Sequence, residues 1–101
     1  MDIKDLEAAM HKFVDDMGWY ADESSKPQSP KNLAISLVLE AGEVLEHFQW
    51  GEDVKDKEAF AEELADVMLY LLQIASITDV ELSDAVMKKL KRNYTRDWDN
   101  E

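Results

Sequence analysis

The sequence predicts an all-α fold, a four-helix bundle-like protomer organised around a central antiparallel helix hairpin. Four segments carry apolar residues at steps of three and four, the spacing that lines one face of a helix. Only three Gly and two Pro occur in 101 residues, while Ala, Leu, Glu, Lys and Met are plentiful, so intrinsic propensity favours helix throughout. One domain, 1–101, is expected, and a hydrophobic fraction of 46% gives it core material.

The first helix is expected over residues 2–17, with Ile3, Leu6, Met10, Phe13 and Met17 on its apolar seam. Residues 18–30 hold both prolines and most of the turn formers and read as a loop. Ser29 followed by Pro30 supplies a capping oxygen and a ring suited to the first helical position, so a second helix starts there and runs to about Gln49. After Gly51-Glu52-Asp53 a third helix runs from about Asp56 to Ile77, with Phe60, Leu64, Met68, Leu71 and Ala75 on its apolar side. Asp79 is the expected cap of a fourth, which buries Leu82, Ala85, Val86 and Leu90 and ends in the basic run Lys88, Lys89, Lys91, Arg92 and Arg96.

The second helix is apolar nearly all round, as expected for a helix buried on most sides, so its polar residues are informative. Ser36, Glu40, Glu43 and His47 form one stripe, and Ala59, Glu63, Asp66 and Tyr70 repeat the same spacing on the third helix. In an antiparallel hairpin turning near Asp53, residues equally far from the turn share a level. Glu43 then faces Glu63, Glu40 faces Asp66, His47 lies level with Ala59 and Ser36 with Tyr70. Four carboxylates in one layer repel and lose hydration, and neither central helix offers Lys or Arg at these levels. A hard divalent cation with oxygen ligands, Mg2+ above all and Mn2+ as a substitute, neutralises them and keeps positions for water and phosphate oxygens. Zinc fits poorly, with no cysteine and one nearby histidine. Two plainer readings remain: a solvated acidic face, or a metal bound for stability alone.

The net charge of −12 repels a nucleic-acid polymer, and no apolar stretch reaches membrane-spanning length. With no cysteine and no leader pattern, a cytoplasmic location is expected.

At Pro30-Lys31-Asn32-Leu33-Ala34, Glu40-Ala41-Gly42-Glu43, Phe48-Gln49-Trp50, Glu62-Glu63-Leu64-Ala65-Asp66-Val67, Tyr70 and Asn93, the sequence resembles the MazG-like nucleotide pyrophosphohydrolases, and within them the dCTP pyrophosphatase branch. The resemblance runs from about Phe13 to Arg96. It implies Mg2+ ligands at Glu40, Glu43, Glu63 and Asp66, which are also the catalytic residues, and cleavage of a nucleoside triphosphate to a monophosphate and pyrophosphate. It implies that Trp19 and Trp50 flank the base, and that Lys31, Asn32, Tyr70, Lys89, Asn93 and Arg96 contact sugar or phosphate. It implies a homodimer or a dimer of dimers, in which one subunit completes another's pocket; short apolar helices need such a partner in any case.

Leu39 departs from many relatives, which carry a Glu immediately before the first ligand, and leaves the general base open. The loop after Trp19 is longer than usual, and Arg96-Asp97-Trp98 replaces a Lys-Tyr-Pro. His47 reads either as a contact to base or phosphate or as a hydrogen-bonded core residue, and His11 is given no role. Trp98 packs against a neighbour or tethers the tail. The rival functions are a non-catalytic helical interaction module or regulatory metal binder, which Leu39 favours, and a related enzyme acting on phosphoribosyl-ATP.

Overall fold

Side-chain oxygens placed ahead of three helical segments fix where those helices begin. The computed structural model describes residues 1–97 and contains four helices, α1 (Ile3–Asp16), α2 (Pro30–Glu46), α3 (Lys57–Ile77) and α4 (Leu82–Thr95), with no strand among the described residues. The reading of Trp98 lies outside the described residues.

Asp2 and Asp5 cap α1 reciprocally: Asp5 N–H donates to Asp2 Oδ1 at 2.9 Å and Asp2 N–H to Asp5 Oδ2 at 3.2 Å. Ser29 Oγ accepts from Asn32 N–H at 3.2 Å with Pro30 in the first turn, and Asp56 Oδ1 accepts from Ala59 N–H at 3.0 Å. Beyond Glu46 the chain tightens into three-residue turns, with Phe48 N–H on Leu45 O at 2.9 Å and Gln49 N–H on Glu46 O at 3.2 Å, so α2 stops three residues short of Gln49.

The reading of Asp79 as the cap of α4 is corrected. Asp79 lies in the left-handed region, φ 59°, one residue beyond the C-cap of α3. Asp79 N–H donates to Ser76 O at 3.2 Å and Val80 N–H to Ala75 O at 2.8 Å, the paired bonds that close a helix C-terminus. The residue before α4 is Glu81, whose side chain makes no cap bond. Gly18, φ 75°, closes α1 in the same way, with Gly18 N–H on Asp15 O at 2.9 Å and Trp19 N–H on Val14 O at 3.1 Å. That reversal folds Trp19 back onto α1, where its ring meets Phe13 edge-on at 5.6 Å.

Helix α3 is central: α2 and α1 pack on it, and α4 touches it only lightly. The core is Met10 and Val14 of α1 with Leu72 of α3, ringed by Ile3, Trp19, Tyr20, Met68 and Leu82. Two expectations about burial fail within the protomer. Helix α2 buries only Leu33, leaving Val38 70% and Leu45 71% exposed, and α4 buries nothing, with Val86, Met87 and Leu90 all open. The reason is shared: each helix packs chiefly on α3, so its second apolar face has little to pack on. The radius of gyration is 16.3 Å, against about 13 Å for a compact domain of 100 residues. Accessible surface is 8015 Å2, roughly 2,000 Å2 above that of a folded monomer of this mass.

Candidate metal centre and adjoining cavity

The α2–α3 contact fixes the levels of the acidic side chains. Near the connection between the helices, Phe48 and His47 meet the Phe60 ring edge-on at 5.7 Å and 5.3 Å. One turn further on, Glu40, Glu43 and Glu63 each offer an oxygen within 4.8 Å of the others. Asp66 lies close enough to act on the charge of Glu40. His47 Nε2 is 3.9 Å from Glu63 Oε1, and among the described residues no Lys or Arg pairs with these acids.

Electrostatics register the crowding. Burial, reinforced by Glu43 and Asp66, raises the Glu40 carboxyl above the usual carboxylate range. A hydrogen bond shared with Glu43 raises Glu63, with burial and the charges of Glu43 and Glu40 adding to it and His47 opposing. Glu40 Oε2 is buried and receives no hydrogen bond. An acceptor with buried lone pairs beside two further carboxylates suits a divalent cation, which bonds oxygen without needing a proton.

Beside the acids opens a cavity of about 800 Å3 between α1, α2, α3 and the 18–29 loop. Phe13, Trp19, Leu33 and Leu69 give it apolar walls, and Asn32, Ser36, Asp66, Tyr70 and Gln73 place polar groups along one side. The expected layer of four carboxylates is thus a group of three: Asp66 stands outside it, lining the cavity while its charge acts on Glu40. Lys26 Nζ stands 4.9 Å from the Trp19 ring centroid, and Asn32 Nδ2 donates to Pro27 O at 3.0 Å, tying the loop to α2.

Deeper in, buried polar side chains form a chain. Gln73, 3% exposed, donates through Nε2 to Gln28 Oε1 at 2.8 Å and to Tyr20 OH at 3.2 Å. Tyr20 OH lies 2.6 Å from His11 Nδ1, and His11 Nε2 lies 2.7 Å from Ser76 Oγ. Burial raises the Tyr20 phenol, partly countered by the Gln73 bond, which keeps it a proton donor. His11 is accordingly a fully bonded part-buried residue.

The expected contact residues divide into groups. Trp19, Asn32 and Tyr70 line the cavity, and His47 stands beside Glu63. Lys31 is exposed on the first turn of α2 and does not line the cavity. Trp50, 87% exposed, does not line the cavity that Trp19 lines. Lys89 and Arg96 border a separate basic recess on α4 with Arg92 and Thr95, and Asn93 is half-buried on the same helix. Sequence reasoning missed Lys26, Gln28 and Gln73. For Gln73 a signal existed: an amide interrupts the apolar run Leu71-Leu72-Gln73-Ile74-Ala75, three residues beyond Tyr70 on the acidic stripe.

The helices thus define an all-helical domain in which an acidic group lies beside an aromatic-walled cavity. The chain belongs to the MazG-like family, whose model matches residues 35–101. Its backbone is similar to the crystal structure of a pyrophosphatase from Archaeoglobus fulgidus, with a TM-score of 0.76 and 33% identity over 89% of this chain and 86% of that one. Among curated proteins it is similar to dCTP pyrophosphatase 1 of Mus musculus, 32% identical over 103 residues, and to that of Homo sapiens, 31% identical over 103. Each match covers 93% of this chain and 58% of the relative, so the chain spans little more than half the length of these proteins.

Proposed function

We propose that this protein hydrolyses nucleoside triphosphates between the α- and β-phosphates, releasing a nucleoside monophosphate and pyrophosphate, with Mg2+ held at the end of an α2–α3 antiparallel hairpin. The observation that carries the reading is the position of Asp66, which lines the cavity and whose charge acts on Glu40 of the acidic group. A triphosphate has the same division, an anionic chain that needs cations joined to an aromatic base that needs an apolar slot. Membership of the MazG-like family and the relatives' names as pyrophosphatases support the bond and the reaction type.

Glu40, Glu43, Glu63 and Asp66 would hold the ions, rigid helices fixing their positions. Bound Mg2+ supplies charge neutralisation along the phosphates and lowers the pKa of coordinated water. With Leu39 64% exposed and carrying no base, one of the four carboxylates takes the proton from that water. Trp19 stacks on the base, and Asn32 and Tyr70 hold the sugar. A dCTP-like preference is suggested by the relatives' names.

The working form is a homodimer or dimer of dimers. The exposed surface exceeds that of a folded monomer by more than twice the roughly 800 Å2 that each partner loses in a standard interface. A second copy laid on α2 would bring Trp50, and the basic end of α4 with Lys89, Asn93 and Arg96, towards a neighbouring cavity.

Incubating the protein with Mg2+ and a panel of unmodified and modified triphosphates, then resolving products by chromatography, tests the reaction. Monophosphate plus pyrophosphate is expected. Diphosphate plus orthophosphate would refute the bond assignment, and no turnover would favour a non-catalytic interaction module, the reading to which Leu39 lends weight.

A further inference from the structure

Gln73 has an orientation that its neighbours dictate. Gln28 Nε2 donates to the main-chain carbonyl of Lys26 at 2.7 Å, and a carbonyl only accepts, so the other end of that amide, Oε1, must face Gln73. Gln73 must then present Nε2 there, and the same nitrogen spends its second proton on Tyr20 OH. Tyr20 OH lies in turn against His11 Nδ1, and His11 Nε2 against Ser76 Oγ. Both protons of the Gln73 amide are thereby assigned. What remains is Gln73 Oε1, which makes none of these bonds, on a side chain that is 3% exposed and lines the cavity. That oxygen is open to the cavity, where a ligand's donor can take the place of water.

Its distance from the acids fits a nucleotide. Glu63, Asp66, Tyr70 and Gln73 follow one stripe of α3, and seven residues separate Asp66 from Gln73, roughly 10 Å along the axis at 1.5 Å per residue. That is about the reach from an α-phosphate to the far edge of a base. Tyr70 stands between them on the same stripe and also lines the cavity.

We propose that Gln73 reads the base, its amide oxygen accepting a hydrogen bond from the exocyclic amino group of cytosine or adenine and rejecting the keto group of uracil or hypoxanthine. The inference rests on the nucleotide reading of the cavity. A keto oxygen would meet Gln73 Oε1 lone pair to lone pair. Rotating the amide to offer nitrogen instead would set two oxygens, those of Gln73 and Gln28, against each other and strip Tyr20 of its donor. Gln28 is therefore a positioning residue: it prevents the rotation that would make the pocket indifferent.

Intrinsic tryptophan fluorescence, titrated with dCMP and dUMP and with dAMP and dIMP, tests the proposal without requiring turnover. The unaltered protein is expected to bind the amino member of each pair about 10-fold or more tightly than the keto member. Gln73→Met, of similar shape, should bring each pair to within about 3-fold. Gln28→Ala keeps the acceptor but frees it to rotate, and should narrow the gap mainly by improving keto binding; it carries the test if Gln73→Met melts early. Equal binding within each pair by the unaltered protein, no saturable binding of any of the four, or discrimination that survives in both variants would overturn the proposal. Selective monophosphate binding without triphosphate turnover would sink the hydrolase reading and leave this one standing; turnover without amino-over-keto selection would do the reverse.

Discussion

Glu40 carries opposing demands, because its buried oxygen and its acidic neighbours penalise its charge while cation binding requires it. Glu40→Gln is therefore expected to lower Mg2+-dependent turnover at least about 100-fold, yet to raise the melting temperature in EDTA, since it removes a charge that folding disfavours. Kinetics and calorimetry on the same sample check both halves. The pH response has a matching sign. Glu40 and Glu63 both have raised values in the folded chain, so the folded state holds protons more tightly than the unfolded state. Their contribution favours the fold at acidic pH and is lost as pH climbs from the ordinary carboxylate value through the raised ones. A metal-free melting series across that window should show this decline, shallower in Glu40→Gln; a flat or rising contribution would contradict it.

Turn chemistry governs the elements. Asp79 takes a left-handed conformation that glycine tolerates better, so Asp79→Gly should stabilise the protein by about 0.5 kcal/mol, read as a higher denaturant midpoint. Gly18→Ala should cost about 1 kcal/mol for backbone reasons alone, because a Cβ there meets nothing within 4 Å, and it should shift tryptophan emission by disturbing the reversal that seats Trp19. Such geometry marks the limit of the sequence reading. Ser29-Pro30 and the two acidic stripes were legible because caps and helical period are local. Asp79 was misread because Asp serves both a helix start and a left-handed close, and only the bonds to Ala75 and Ser76 decide between them. Gln73 escaped notice because its role depends on Gln28 and Tyr20, 45 and 53 residues away in the chain. The burial of α2 was overestimated because an apolar sequence states that a face wants cover without stating which molecule provides it.

At the scale of the molecule, the outer face of α2 joins Ile35, Val38, Leu39 and Leu45, each at least half exposed. Val38→Asp is expected to convert a multimer to a monomer in sedimentation equilibrium; a monomer in the unaltered protein would remove the basis for the assembly reading. The protomer's few buried apolar side chains have a further consequence. If each chain completes its interior only by meeting another, dilution alone must weaken it: the melting temperature should climb with protein concentration, as mass action requires of coupled folding and association.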